Sequence, residues 1–107
     1  MRRRPDRERA MIDQMLYTVR ERVVAWRRQT DLEVDEEDVI AQLLEAIDAA
    51  LAAVVAGVEA DPDDDGFTPL ERMRSQLAFV ILFTRHDELR QLMQAEWRWL
   101  TDAGVLT

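Results

Sequence analysis

The chain has 107 residues, 48% of them hydrophobic, with only three glycines and three prolines; this composition excludes a disordered chain and favours packed helices in one domain, residues 1–107. The absence of cysteine excludes disulfides and thiolate metal sites. The formal net charge is −8, and residues 29–71 contain 14 acids and no basic residue, so we expect no direct nucleic-acid binding.

The N-terminal segment is basic, and residues 1–5 are predicted to be frayed. A nucleic-acid-binding arm is the alternative interpretation, but Asp6 and Glu8 dilute its arginines. The segment lacks the continuous apolar stretch of a secretory signal. The longest nearly apolar run, residues 49–58, is far shorter than the roughly 20 residues that span a bilayer. We therefore expect a cytoplasmic protein without membrane contact.

The first predicted helix runs from about Asp6 to Gln29. Its apolar residues recur at alternating steps of four and three, which is typical of a buried helical stripe. These residues are Ile12, Leu16, Val19, Val23 and Trp26. Arginines such as Arg20 and Arg27 lie mostly off the stripe, so they are free to pair with acidic residues of the same chain or of a neighbour.

A second helix is predicted to begin at Asp35 as its N-cap. Glu36, Glu37 and Asp38 follow in the first turn, where the helix dipole favours negative charge, and they form an acidic face. The apolar spacing continues to Val58. Residues 49–58 contain almost no polar side chain, so we expect this half of the helix to be covered on most sides. Pro62 is predicted to end the helix.

The acidic loop, residues 60–68, begins like a calcium-binding loop. Asp61, Asp63, Asp65 and Gly66 match its positions 1, 3, 5 and 6, but the twelfth position is Arg72 rather than a bidentate glutamate. The same residues also fit a helix start.

The helix start is the preferred interpretation. Thr68-Pro69-Leu70-Glu71 has the pattern of a capping box with proline at the first helical position. We therefore predict no cofactor. The alternative is a weak divalent-cation site formed by Asp61, Asp63, Asp65 and Glu71.

The third helix is predicted to begin near Pro69. Residues 77–83 are apolar all round, which is typical of a core segment or a subunit interface. Residues 84–89 interrupt the pattern, so Asp87 either caps a fourth helix or lies within a continuous third one. Gly104 is predicted to end the last helix in a Schellman motif. The predicted fold is all-α: a small antiparallel bundle of three long helices, or of four with a break near residue 86.

Catalytic patterns are missing from the sequence. His86 is the only histidine and Ser75 the only serine, and neither lies in a nucleophile motif. His86 is predicted to be an exposed residue at a helix break. Zinc requires more histidine or cysteine ligands than the chain has. We therefore predict that the protein is not an enzyme.

Three functional hypotheses remain. The leading one is a non-enzymatic interaction or assembly module that self-associates through Phe79, Phe83 and Trp99, with Arg20 and Arg27 pairing to the acidic block of a neighbour. The second is an acidic inhibitor or immunity-type protein, including a nucleic-acid mimic, which blocks a basic site with its acidic face, Glu36, Glu37 and Asp38. The third is a weak divalent-cation-responsive helical switch.

Overall fold

The computed structural model describes residues 5–106 and contains four helices in this range. They are α1 (Asp6–Arg28), α2 (Val34–Ala56), α3 (Pro69–Phe83) and α4 (Asp87–Asp102). Each helix packs against the next, and α4 also contacts α1, which closes an antiparallel four-helix bundle. The predicted all-α bundle with a break near residue 86 is confirmed. Of the segment predicted to be frayed, residues 1–5, the first four lie outside the described residues, and Pro5 is the N-cap of α1.

The core is built from the apolar stripes of all four helices. Its fully buried side chains are Ile12, Leu16, Val19 and Val23 of α1, Ile40, Leu43 and Ile47 of α2, Met73, Leu77 and Val80 of α3, and Met93 and Leu100 of α4. Burying one such side chain contributes about 1.5–3 kcal/mol. The stripes predicted from the sequence therefore fix which face of each helix points inward.

The predicted N-cap of α2 is wrong by two residues. The helix begins at Val34, with Glu33 in the N-cap position, and Asp35 lies in the first turn. There the Asp35 Oδ1 accepts a hydrogen bond of 3.0 Å from the Glu36 amide. The acidic first turn is nevertheless present, because Asp35, Glu36 and Glu37 all lie near the positive end of the helix dipole.

The end of α2 also differs from the prediction. Gly57 has a φ of 76°, and the helix stops at Ala56, before Val58 and well before Pro62. The amides of Gly57 and Val58 donate to the carbonyls of Val54 and Ala53, at 3.1 and 2.9 Å. These are the two hydrogen bonds of a Schellman motif, for which glycine in the left-handed region is the preferred residue.

The C-terminal half of α2 is open on one side, contrary to the predicted coverage. Its exposed residues are Ala49, Ala52, Val55 and Ala56, and Val55 is 75% exposed. The cause is the bundle itself, because a helix with two neighbours keeps part of its circumference in water. Among the described residues, α2 is the one helix with the length and apolar composition that a membrane span requires, a test that a core helix of a bundle also passes.

The predicted capping box at the start of α3 is confirmed. The Glu71 amide donates to the Thr68 hydroxyl at 3.1 Å, and the Thr68 amide donates to the Glu71 carboxylate at 3.2 Å. At the start of α4, His86 occupies the N-cap position in place of the predicted Asp87, which is the first helical residue. The helix boundary there is therefore one residue from its expected place.

The predicted Schellman ending of α4 is also confirmed. Gly104 has a φ of 78°. Its amide donates to Thr101 at 3.0 Å, and the Val105 amide donates to Leu100 at 2.9 Å. Val105 and Leu100 both belong to the buried core.

Two arginines donate hydrogen bonds to backbone carbonyls at the C-terminal end of another helix. The Arg9 guanidinium of α1 donates to Val54 at 2.8 Å and to Val55 at 3.1 Å, at the end of α2. The Arg90 Nε of α4 donates to the Ile81 carbonyl of α3 at 3.1 Å. The Val55 and Ile81 carbonyls gain a hydrogen-bond partner in this way, the Val54 carbonyl gains a second one beside the Gly57 amide, and both arginines place positive charge at the negative end of a helix dipole.

Candidate functional site

A cleft of about 200 Å³ opens between α2 and α3, near the turns that connect α1 to α2 and α3 to α4. Its apolar lining consists of Leu32, Val39 and Ile40 on one wall and Phe79, Val80 and Phe83 on the other. Asp35, Glu36 and Arg85 are the charged residues of its lining. The cleft thus combines an apolar floor with a charged edge.

Phe79 and Phe83 are exposed beside this cleft. Their side chains are 41% and 67% exposed, and their ring centroids lie 4.6 Å apart. Leu82, 73% exposed, lies on the other edge of α3 and lines an opening towards α4. Leu77 and Val80 of the same segment are buried. The segment that the sequence marks as apolar all round therefore has one face in the core and one in water.

Three of the other exposed or half-buried aromatic rings are covered by arginine. The covering guanidinium groups lie 5.3–5.5 Å from the ring centroids: Arg22 over Trp99, Arg72 over Phe67 and Arg74 over Trp97. Such contacts place a weakly hydrated cation on the ring face. Within residues 5–106, no guanidinium lies over Phe79 or Phe83, which pack on each other instead.

Trp99 lies on a different side of the bundle from Phe79 and Phe83. Its ring is 38% exposed and is covered by Arg22 of α1. The Arg22 guanidinium also donates to the Glu96 carboxylate at 2.7 Å, and Glu96 is only 1% exposed. The predicted surface that joins Trp99 to α3 is therefore divided in two, because Trp99 belongs to the α1–α4 side and the phenylalanines to the α2–α3 side.

Arg20 and Arg27 pair within the chain. The Arg20 Nε lies 2.6 Å from Asp48, and the Arg27 Nη2 lies 3.0 Å from Glu37, so both bind α2. The hydrogen bond to Asp48 raises the pKa of Arg20 above its usual value. Of the two alternatives that the sequence left open, the structure favours pairing inside the molecule.

The predicted acidic face is only partly free. Glu37 is engaged by Arg27, whereas Asp38 is exposed. The Glu36 carboxylate lies 2.7 Å from the His86 Nε2, although the two are not aligned for a hydrogen bond. His86 is half-buried and packs edge-to-face on Trp26, with centroids 5.4 Å apart, so the prediction of an exposed histidine is wrong. The burial follows from its position between α1 and α2, which the sequence does not specify.

The edge of the cleft carries excess negative charge. The carboxylates of Glu33, Asp35 and Glu36 lie within 4.8 Å of one another. Arg85 is 3.5 Å from Glu33 and 3.7 Å from Asp35, so its guanidinium contacts two of the three carboxylates. Like charges at this separation repel, which favours a positively charged neighbour.

A second, wider opening of about 640 Å³ continues between α2 and α3 towards the acidic loop. Its α2 wall includes Glu45, Ala46 and Ala49, its loop wall includes Asp63, and its α3 wall includes Arg72. The cleft and this opening lie between the same two helices, although they share no lining residue. We refer to the two together as the α2–α3 groove.

In the acidic loop, Arg72 binds the carboxylates that resemble calcium ligands. Its guanidinium contacts both Asp63 and Asp65. The hydrogen bond from Arg72 lowers the pKa of Asp63, with further bonds from the Phe67 and Asp65 amides.

The fourth residue of the proposed cation site, Glu71, is engaged in the capping box instead. Asp61 lines the groove. The weak divalent-cation site stays a prediction.

Three comparisons, with protein-family models, with curated proteins and with solved structures, find no match for this chain.

Proposed function

We propose that this protein is a non-enzymatic protein–protein interaction module that binds through the α2–α3 groove. One observation carries the proposal: Phe79 and Phe83 pack on each other and are exposed next to an apolar cleft, while Phe67, Trp97 and Trp99 are covered by arginine. Contiguous exposed apolar side chains are typical of interaction sites.

The dimensions of the cleft support a protein partner over a small molecule. Small-molecule sites usually enclose roughly 300–1,000 Å³; the cleft has about 200 Å³, and the second opening of about 640 Å³ is more open to solvent than the cleft. The cleft is therefore suited to one or two anchoring side chains of a partner, with the exposed rings of Phe79 and Phe83 extending the contact. Aromatic residues in such positions frequently dominate binding energy.

The partner is either a second copy, as the sequence suggests, or a different protein. Self-association would be opposed by the net charge of −8, because both copies carry the same sign. A dimer therefore forms only if the free energy gained from the apolar contact exceeds this electrostatic repulsion.

The proposal is tested with the double variant Phe79→Ser/Phe83→Ser and the control Tyr17→Ser. Tyr17 is also an exposed aromatic residue, but it lies on α1 and does not line the groove. The wild-type chain and both variants are compared by light scattering and by quantitative affinity capture. We expect a partner, either the same chain or another protein, to be retained by wild type and Tyr17→Ser and lost by the double variant. Identical retention by all three proteins, with a monomeric chain throughout, would contradict the proposal.

A further inference from the structure

We propose that the α2–α3 groove receives a basic amphipathic helix of a different protein. The helix would place an apolar ridge on the groove floor and lysine or arginine side chains against the carboxylates along its edges. This inference rests on the proposed function and specifies the chemistry of the partner.

The length of the groove fits a helix of a few turns. Its walls extend along α3, which has 15 residues, and along the facing part of α2. At 1.5 Å per residue this corresponds to about 22 Å, or roughly four helical turns. A third helix packed between two others is an ordinary arrangement in helical proteins.

The floor of the groove changes along its length. Near the connecting turns it offers Val39, Phe79 and Phe83, which would contact bulky apolar side chains. Towards the loop end it offers Ala46 and Ala49, where the absence of long side chains permits a helix to approach closely. The groove therefore favours an apolar ridge whose side chains are largest at one end.

The charge of the groove selects a basic partner. The acids along its lining are Asp35, Glu36, Glu45, Asp61 and Asp63. The arginines there are Arg72 and Arg85, and both already contact carboxylates of this chain. Acids thus exceed bases, and a basic helix would complement the field whereas a second copy of this groove would repeat it.

The opposite edge of α2 already binds a helix of this type. Helix α1 buries an apolar stripe and pairs Arg20 with Asp48 and Arg27 with Glu37 of α2. The contact between α1 and α2 thus combines burial of apolar residues with arginine–carboxylate pairs. The α2–α3 groove offers the same two features to a helix from outside the molecule.

The experiment is a selection from a phage-displayed library of helical 18-residue peptides with randomised surface positions, followed by affinity measurement on the selected peptides. We expect these peptides to carry an apolar ridge flanked by lysine and arginine. Their dissociation constants should rise steeply with salt, because the charged contacts are screened.

Two matched pairs of variants locate the binding site. Ala49→Trp fills the groove, and Ala95→Trp makes the same change at an exposed alanine of α4. Asp35→Asn/Glu45→Gln removes two groove charges, and Glu8→Gln/Asp102→Asn removes two exposed charges elsewhere. We expect Ala49→Trp to weaken binding by at least about tenfold and the groove charge variant by about threefold to tenfold, with both controls within about twofold of wild type.

Three other outcomes separate a failure of this inference from a failure of the proposed function. Selected peptides that are acidic, or that bind Ala49→Trp as tightly as wild type, would overturn the inference. A dimer that Ala49→Trp disrupts, without peptide binding, would identify the occupant as a second copy; the proposed function would stand and this inference would fail. If neither peptides nor a second copy bind through the groove, and capture retains nothing that depends on Phe79 and Phe83, the proposed function fails as well.

Discussion

The α1–α4 side and the α2–α3 side of the bundle treat their exposed aromatic residues differently. On the α1–α4 side, Arg22 covers the Trp99 ring and binds the buried Glu96 carboxylate. On the α2–α3 side, Phe79 and Phe83 contact each other beside an open groove. One arginine thus covers the exposed ring of the first side. On the second side Arg72 covers Phe67 at the loop end, and within the described residues no arginine covers Phe79 or Phe83.

This difference teaches that helical spacing alone does not identify an interaction surface. Trp99 and Phe83 both lie off the main stripes, and the sequence assigned both to one interface. What separates them is a long side chain from another helix, because a guanidinium satisfies the ring electrostatically and shields it from water. Variants on the shielded α1–α4 side should therefore lower the free energy of unfolding more than variants on the open α2–α3 side.

The largest expected effect is on the α1–α4 side. Arg22→Met would leave the Glu96 carboxylate buried without its partner. We expect the free energy of unfolding to fall by about 2–4 kcal/mol, which is below the 3–5 kcal/mol of a fully buried pair because half of Arg22 is exposed. Urea denaturation monitored by circular dichroism measures this.

The double variant Arg22→Met/Glu96→Leu is the control for that prediction. It removes both charges, so we expect stability within about 1 kcal/mol of wild type or above it. If Arg22→Met and the double variant lose the same stability, the loss comes from packing around Arg22 and not from the stranded carboxylate.

A smaller effect is expected for Trp99→Ala. More than half of the Trp99 side chain is buried, and the variant also loses the contact with Arg22. We expect the free energy of unfolding to fall by about 1–2 kcal/mol, of which the cation–π contact supplies roughly 0.5–1. The same urea experiment measures it, and a change below the experimental error would show that Trp99 is as free as Phe83.

Phe83→Ala is expected to cost less than about 0.5 kcal/mol, because most of the side chain is already in water. Its main effect should be on the surface, with earlier elution from a hydrophobic-interaction column than wild type. A stability loss as large as that of Trp99→Ala would mean that the α2–α3 side is closed in solution.

The smallest effect concerns the titration of Asp63 in the groove wall. Because Arg72 lowers its pKa, the native Asp63–Arg72 contact stabilises the fold above the ordinary aspartate pKa of about 3.9. This contribution is lost as the pH falls through the lower native pKa. An NMR titration of the Asp63 carboxyl carbon should give a pKa below about 3.9 in wild type. In Arg72→Gln we expect it to return towards that value, and an unchanged midpoint would contradict the contact.

Local features of the fold could be predicted from the sequence. The capping box at Thr68 and the Schellman motif at Gly104 depend on residues within about one turn, so the local sequence is sufficient to predict them. The apolar stripes likewise predict where each helix lies in the chain. The end of α2 was missed, although Gly57 carried a signal, because an unbroken apolar pattern on either side favoured continuation of the helix.

The candidate site was predicted only in part. Phe79 and Phe83 were identified because the segment around them has more apolar residues than one face can bury. The acidic partners of Arg20, Arg22 and Arg27 could not be predicted, since a long side chain can reach any of several acids on a neighbouring helix. The groove itself depends on how α2 and α3 pack, and no local pattern encodes its depth, although the acids of residues 29–71 indicate its negative charge.

The contact of Arg9 with Val54 joins parts of the chain that are 45 residues apart. A Cβ at Gly57 would lie 3.2 Å from the Arg9 Nη2, so the left-handed residue and the guanidinium fit each other closely. Transient fraying of the first turn of α1 would therefore release the last turn of α2 at the same moment. In hydrogen-exchange experiments these two distant turns should open as one cooperative unit, with similar protection factors.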